Sequence, residues 1–458
     1  MKKIVSLVCM GWIFALTSIS ANAFSSDVPL LQVEHLKPQF WQAKLNNADV
    51  VILTPEQIMG RNQQTFALQS EMQLLQDLPA QFTDAELAQI INRVSKVATD
   101  ARFYANGIKL SAMHWAAYQQ LLALPQLKPQ NTVRFGLVVK RTALRSFPTD
   151  DRVFNAEANK DLDRFSETAL FPTDAVAVLH TSADKKWLLV QSFNYTGWVK
   201  TADVAMGSKQ QVLAYAEQQP FVVVTGATVR TAFNPEIAAV SELQLDMGIR
   251  LPLQSAADVG FIVHGQNPAA SYIVQLPLRD ANGNLSFTSA LLPLSADVHQ
   301  GYLPFTANNI IGQAFKFLGE RYGWGHDYNG RDCTGFTSEI FRSFGFLMPR
   351  NSGQQGNGQY AENTRFTNAS SAEDKLSAIS KAQPGDLLYF PGHVSLYLGM
   401  LGTQPFMIHD VNTLIYPQQN GELYQGTLNG VVVTPLLPLN ANVEQSYLDA
   451  LYAVKSLR

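Results

Sequence analysis

Cys333, His393 and His409 are the residues with which this chain could do covalent chemistry. Cys333 stands in Gly330-Arg331-Asp332-Cys333-Thr334-Gly335-Phe336, where Asp332 suits a helix N-cap and the apolar residues that follow recur at helical spacing. The pattern puts the thiol in the first turn of a helix, where the positive end of the helix dipole favours thiolate, the species that attacks a carbonyl. The Cys333 backbone N–H, unpaired at a helix start, is then available to a tetrahedral oxyanion. A cysteine nucleophile needs a base, and the base needs an orienting group. Of the eight histidines, five (His35, His114, His180, His264 and His299) fall in other segments, and His326 sits in a Gly- and Asn-rich loop that reads as a solvated imidazole. His393 and His409 remain. Alternation along a strand that opens at His393 places it on one face with Ser395 and Tyr397, and His409 ends the apolar run Phe406-Met407-Ile408. Two adjacent strands then present both rings on a helix-facing surface, with His393 as base and His409 as its orienter. A three-ligand zinc site built from the same Cys333, His393 and His409 is the competing chemistry. The Cys-x-x-Cys, His-Glu-x-x-His and Gly-x-Ser-x-Gly patterns are absent, as is a phosphate loop.

The elements that must position these residues lie in 306–458. A helical pattern runs over Asn309–Gly319, followed by the glycine-rich Tyr322-Gly323-Trp324-Gly325 and a second helix from Cys333. Strand-like runs follow at Asp386–Phe390, His393–Gly399 and Pro405–His409, so that helix then sheet gives an α+β unit. Upstream, 24–131 is mostly helical, with periodicity over Ala67–Leu75 and a capping-box signature in Thr83-Asp84-Ala85-Glu86. Leu124-Pro125, Lys128-Pro129 and Asn131 then read as a linker. Short runs at Val133–Lys140, Ala175–His180, Trp187–Ser192 and Gly197-Trp198-Val199 predict a small β-barrel over 132–207. Runs at Phe221–Thr225, Gly260–His264 and Tyr272–Pro277 predict a second over 208–305.

The chain has 458 residues, which allows about three domains at ~150 residues each. Charged residues make up 16% and the formal net charge is −3, which supplies no basic footprint for nucleic acid. Residues 1–23 have the form of a secretory signal peptide: Lys2 and Lys3, an apolar run Ile4–Leu16, and Ala21-Asn22-Ala23 as the cleavage site. The run is shorter than the ~20 residues a membrane span needs. The expected location is periplasmic or secreted, with no membrane attachment after cleavage and a monomeric chain. Cys9 leaves with the leader, so Cys333 is the only thiol of the mature chain, and it is either buried filler or reactive.

At these residues the sequence resembles the NlpC-type cell-wall cysteine peptidases, a papain-like family. The resemblance rests on Tyr322-Gly323-Trp324-Gly325, Arg331-Asp332-Cys333-Thr334-Gly335-Phe336, Pro384-Gly385-Asp386-Leu387, His393-Val394-Ser395-Leu396-Tyr397-Leu398-Gly399 and Ile408-His409. Thr334 stands where a serine is usual. The upstream part is similar to the multidomain branch, with a helical clip domain (24–131) and two bacterial SH3-type barrels (132–207 and 208–305). Arg141–Thr149 and Tyr195-Thr196-Gly197-Trp198-Val199 carry the likeness of the first barrel.

The resemblance implies nucleophile Cys333, base His393 and orienting His409, with no cofactor. It also implies hydrolysis of the γ-D-glutamyl to L-diamino acid bond in murein stem peptides that begin with a free L-alanine amine. Asp332 would pair with that ammonium as well as cap the helix. Thr334 keeps a hydroxyl, Ser352 would contact substrate, and Tyr195 would close the amine side unless it serves the barrel core. A non-catalytic wall-binding protein and an endopeptidase of intact, glycan-linked peptidoglycan are the alternatives.

Overall fold

Helix caps and apolar spacing set the N-terminal segment. The computed structural model describes residues 24–156 and 160–458; the expected leader, 1–23, lies outside the described residues. Three helices dominate the segment up to 131: α1 (Pro55–Leu68), α2 (Asp84–Val94) and α3 (Ala112–Leu121). The expected capping box starts α2: Thr83 Oγ1 accepts from the Glu86 N–H at 3.3 Å, and Glu86 Oε2 accepts from the Thr83 N–H at 2.8 Å. The periodicity over Ala67–Leu75 does not persist as helix, because α1 stops at Leu68 and the Gln73 N–H bonds instead to the Phe193 carbonyl at 2.7 Å. Buried residues of this segment divide between two other cores. Trp41 and Ile58 pack with the C-terminal unit, whereas Leu75, Leu87, Ile91 and Tyr118 pack with Phe135, Trp187 and Trp198 of the sheet that follows. The segment therefore ties the two ends of the molecule together.

That sheet comprises β1 (Arg134–Val138), β2 (Thr142–Arg145), β3 (Ser166–Leu170), β4 (Ala175–Thr181), β5 (Trp187–Gln191), β6 (Thr196–Lys200) and β7 (Val204–Gly207). Its order is β7-β1-β4-β5-β6-β2-β3. The expected barrel is not closed, since no ladder joins β3 to β7. The outer edge of β3 is instead covered by residues 324–329 of the C-terminal unit, where Ser166 Oγ donates to the Gly325 carbonyl at 3.2 Å.

A second, five-stranded sheet follows: β8 (Phe221–Val224), β9 (Arg250–Gln254), β10 (Ser271–Arg279), β11 (Leu285–Pro293) and β12 (Val298–Gln300). Its order is β11-β10-β9-β8-β12, again open. The strand expected at Gly260–His264 is absent. A short helix, Ala256–Val259, ends there, and Gly260, His264 and Gly265 all take positive φ, which breaks the pleat.

The C-terminal unit is α+β, as its pattern implied. It contains α4 (Ala307–Phe315), α5 (Cys333–Arg342) and α6 (Ser352–Asn357). Its strands are β13 (Glu362–Arg365), β14 (Leu387–Phe390), β15 (His393–Leu401), β16 (Gln404–Pro417), β17 (Leu423–Pro435) and β18 (Ala453–Ser456). They form one antiparallel sheet in the order β13-β18-β14-β15-β16-β17. Phe336 and Ile340 of α5 share a core with Val394, Leu396 and Ile408 of β15 and β16. Burying such side chains contributes about 1.5–3 kcal/mol each.

The units are joined through a buried ion cluster. Arg331, fully buried, donates to Asp246 at 2.9 Å, to Glu320 at 2.7 Å, to Glu339 at 2.8 Å and to the Ala227 carbonyl at 2.9 Å. Asp246 and Ala227 lie between β8 and β9, so one side chain locks the second sheet to the start of α5. Arg141 of the first sheet adds a second guanidinium 3.5 Å from Asp246. Replacing Arg331 by alanine strands three carboxylates in the interior, and breaking such a cluster costs about 3–5 kcal/mol. The expected outcome for Arg331→Ala is a markedly lower thermal transition, measured by calorimetry; an unchanged transition would show that the cluster does not hold the units together.

Candidate active site

Cys333 opens α5, as the cap pattern at Asp332 implied. The Asp332 side chain caps the helix, Oδ1 accepting from the Gly335 N–H at 2.8 Å. Gly335 is required here because a Cβ would lie 2.7 Å from the His326 ring. The Cys333 thiol is buried and receives a hydrogen bond from the Val394 backbone at the start of β15. Burial, reinforced by the Asp332 charge, pushes the thiol up to about 12. Desolvation thus outweighs the helix dipole, which by itself favours thiolate.

The two histidines meet. His393 Nε2 lies 2.8 Å from His409 Nδ1, and His409 Nε2 lies 3.0 Å from Thr434 Oγ1. His393 Nδ1 takes no part in this pair. The rings share one face, though not the helix-facing one. Val394, Leu396 and Ile408 face α5, and alternation puts His393 and His409 on the side of Tyr397 and Met407. Phe390 stacks on His393 at 6.1 Å, and Tyr447 packs against both rings at 6.2 and 6.0 Å. The Tyr447 phenol also feels the Cys333 charge, so thiol and imidazoles converge around it. Burial lowers His393 to about 4; burial and then the His393 charge depress His409 further. The facing nitrogens are hydrogen-bonded to each other rather than aimed at a shared ion. Among the described residues no group of three or more His, Cys, Asp or Glu side chains is placed to hold a metal.

A polar chain runs from the nucleophile toward the first sheet. Asp332 Oδ2 accepts from Arg350 at 2.6 Å and from the Gly325 N–H at 3.1 Å, and Oδ1 accepts from Thr334 Oγ1 at 3.0 Å besides Gly335. Burial would raise this carboxyl, but the Arg350 guanidinium holds it well below the usual carboxylate range. All four acceptor positions are filled by the protein, so the ammonium expected at Asp332 finds no vacant oxygen there. The Thr334 hydroxyl is likewise spent between Asp332 and Arg350. His326, expected to be solvated, is buried instead: Nε2 lies 3.1 Å from Glu339 Oε1, with Thr168 and Arg350 on the other nitrogen. Its loop carries positive φ at Gly325, His326, Tyr328 and Asn329, a conformation that packs the ring inward.

A cavity of about 550 Å³ opens on the far side of Arg350. Its walls include Glu71 and Arg93 of the N-terminal segment, Glu167 and Tyr195 of the first sheet, and Asn351 and Gln354 beside α6. Tyr195 thus faces an opening rather than serving only the sheet core, and its phenol donates to Glu167 Oε2. Burial raises the Glu167 carboxyl against the lowering effects of Tyr195 and Arg350. Ser352 is not among these walls; it opens α6, and its carbonyl accepts from the Tyr452 hydroxyl at 3.3 Å.

Sequence reasoning missed Glu167, Arg350, Thr434, Tyr447 and Asp410. Asp410 is a fully buried carboxyl with no hydrogen-bond partner on either oxygen among the described residues, and burial pushes it well above the ordinary range. A period-two reading of β16 could have found it, because it shares the face of Ile408.

Comparison with known proteins agrees with this architecture. Residues 152–200 match the SH3 domain model of the SH3b1 type, and residues 319–433 match the NlpC/P60 family model. A γ-D-glutamyl-L-lysine dipeptidyl-peptidase of Bacillus cereus is 27% identical over 271 residues, covering 56% of this chain and 70% of that one. A probable endopeptidase p60 of Listeria seeligeri is 40% identical over 98 residues, 20% of this chain and only 16% of the other. An NlpC/P60 endopeptidase from Photobacterium damselae subsp. piscicida superposes with a TM-score of 0.72 at 18% identity, covering 91% of this chain and 96% of that one; at that identity it speaks for the fold alone. The chain therefore carries an NlpC/P60 domain over 319–433, which holds the buried thiol and the paired histidines, and an SH3b1-type domain ahead of it over 152–200.

Proposed function

We propose that the protein is a cysteine peptidase that hydrolyses the γ-D-glutamyl to L-diamino acid bond of murein stem peptides, in fragments with a free N-terminal L-alanine. The observation that carries the reading is the Cys333 thiol at a helix start beside the His393–His409 pair. The Bacillus cereus relative, named for γ-D-glutamyl-L-lysine, supports the general reaction. In the productive tautomer His393 Nε2–H donates to His409 Nδ1 and His409 Nε2–H donates to Thr434, which leaves His393 Nδ1 with a free lone pair. That nitrogen takes the thiol proton as sulfur adds to the γ-carbonyl carbon. Cys333, as the first helical residue, has an N–H without an intrahelical acceptor, and it faces the developing oxyanion. Collapse breaks the C–N bond, His393 returns the proton to the leaving amine, and a thioester remains on Cys333. Water, deprotonated by His393, then releases the γ-D-glutamyl product and restores the thiol.

The amine end of the substrate belongs in the cavity. Tyr195 occupies one Glu167 oxygen, and Oε1 is left to accept from an ammonium. Asp332, with its four acceptor positions filled, acts behind it by fixing Arg350 and the cap of α5. Ser352 stands at the edge of this arrangement as a backbone acceptor. A cleft ended by the first sheet and by Glu71 and Arg93 suits a chain terminus better than a glycan-linked stem. On this reading the protein works where murein fragments occur, in the periplasm or outside the cell.

Cys333→Ala should abolish release of diaminopimelate from L-Ala-γ-D-Glu-diaminopimelate, a loss of about 10³-fold or more, with the thermal transition unchanged; full retained turnover would sink the mechanism. Acetylating the alanine amine, or Glu167→Gln, should each lower kcat/KM by about 10–100-fold, the value of a hydrogen bond to a charged group. Their effects should not add, because both remove the same contact. The pH profile follows from the base. His393 must be neutral to take the proton, and burial holds it near about 4. Activity is therefore present above that value and lost as pH falls through it, so the acid limb of kcat/KM should lie well below the ordinary histidine value of about 6.5. A limb at 6.5 or above would mean that the ring works solvated.

A further inference from the structure

Arg164, three residues before Glu167, lays its guanidinium over the Trp324 ring at 4.9 Å from the centroid. Trp324 belongs to the loop that runs beside the nucleophile: the Gly323 N–H donates to the Arg331 carbonyl at 2.6 Å, and Tyr322 bridges to Arg331. The Tyr322 phenol lies within electrostatic reach of both Cys333 and Arg164. Arg164 thus acts on Tyr322, which feels the Cys333 charge, whereas Glu167 and Tyr195 feel Arg350, which acts on Cys333 as well.

Among the described residues no carboxylate or carbonyl accepts from the Arg164 guanidinium, and its buried Nε has no partner. The acids around it are engaged elsewhere. Asp163 pairs with Arg145 at 3.0 Å and accepts from the Val153 and Phe165 N–H groups. Asp161 pairs with Arg321 at 2.7 Å, and Asp327 pairs with Arg152. The charged side chain that does act on Arg164 is another guanidinium, Arg102 of the N-terminal segment. Two like charges held near each other, one of them half-buried on an indole face without a counter-ion, make an arrangement that an anion relieves. A guanidinium fork matches a carboxylate in two parallel hydrogen bonds.

We infer that Arg164, stacked on Trp324 and backed by Arg102, is the subsite for a free carboxylate of the substrate. This rests on the murein-peptide reading above. Of the three free carboxylates of L-Ala-γ-D-Glu-diaminopimelate two qualify, and the terminal α-carboxylate, which the lysine peptide shares, is not the one meant. A γ-linked D-glutamate keeps its α-carboxylate free, and diaminopimelate carries a second carboxylate at its far end that lysine lacks.

The test is calorimetric binding to Cys333→Ala, with and without Arg164→Gln, using three peptides: L-Ala-γ-D-Glu-diaminopimelate, the same peptide with the glutamate α-carboxylate amidated, and L-Ala-γ-D-Glu-L-Lys. Arg164→Gln should weaken the first by about tenfold or more, with the thermal transition unchanged, and Arg164→Lys should recover part of the loss. A penalty that vanishes with the amidated peptide assigns the α-carboxylate; one that vanishes with the lysine peptide assigns the far carboxylate. No penalty on the first peptide, an equal penalty on all three, or no binding of any of them overturns the inference. Turnover of the first peptide by the unaltered protein is measured separately. Hydrolysis with no Arg164 effect rejects the subsite alone, whereas absent hydrolysis rejects the functional reading.

Discussion

A guanidinium with no exposure to water sits two residues before the nucleophile and is shared among three carboxylates from two units of the chain. Ion clusters of this kind add little net stability, because desolvating each charge costs several kcal/mol before any attraction is gained. Their effect is on position. Arg331 is satisfied only when Asp246, Glu320 and Glu339 are all in place, so the start of α5 has one permitted setting relative to the second sheet. Glu339 turns its other oxygen to His326, His326 abuts Arg350, and Arg350 fixes Asp332. From interface to helix cap, the geometry around the thiol is passed along a single series of charged groups.

The same enclosure governs the chemistry. A helix terminus favours thiolate by well under 2 kcal/mol, whereas removing water from the sulfur acts far more strongly in the opposite sense, and the thiol stands at about 12. His393 is shifted the other way for the same reason, to about 4. Thiol and imidazole therefore both rest neutral. A buried neutral thiol is poorly reactive toward passing electrophiles.

Much of this was legible in the sequence, and the limits have physical causes. The N-cap at Asp332, the helix from Cys333 and the strand from His393 followed from local rules about caps and alternation, and they appear where those rules put them. The face of the histidine pair did not, because alternation tells which residues share a face but not which face a helix covers. The glycines and asparagine around His326 in the sequence imply a solvated ring; what packs against it is Thr168, 158 residues away in the chain. Glu167, Arg350 and Arg164 carry no local signature at all. Their roles come from the docking of the first sheet against the C-terminal unit, which no window of sequence contains. Closure of the barrel was expected from strand spacing, yet the edge that would have closed it is spent on the loop at 324–329.

That loop holds three non-glycine backbone anomalies within four residues. His326, Tyr328 and Asn329 all lie at positive φ, and each such non-glycine residue costs about 1–3 kcal/mol. The compensation is drawn from the neighbouring unit: Arg141 donates to Asn329 at 2.7 Å and to the Gly330 carbonyl at 2.8 Å, the Tyr328 hydroxyl donates to the Lys160 carbonyl at 2.6 Å, and Ser166 reaches the Gly325 carbonyl. The strain beside the nucleophile is thus held by a different module from the one that carries the nucleophile. Separating the C-terminal unit from the first sheet would remove these hydrogen bonds, so in this chain the conformation of the loop depends on both modules.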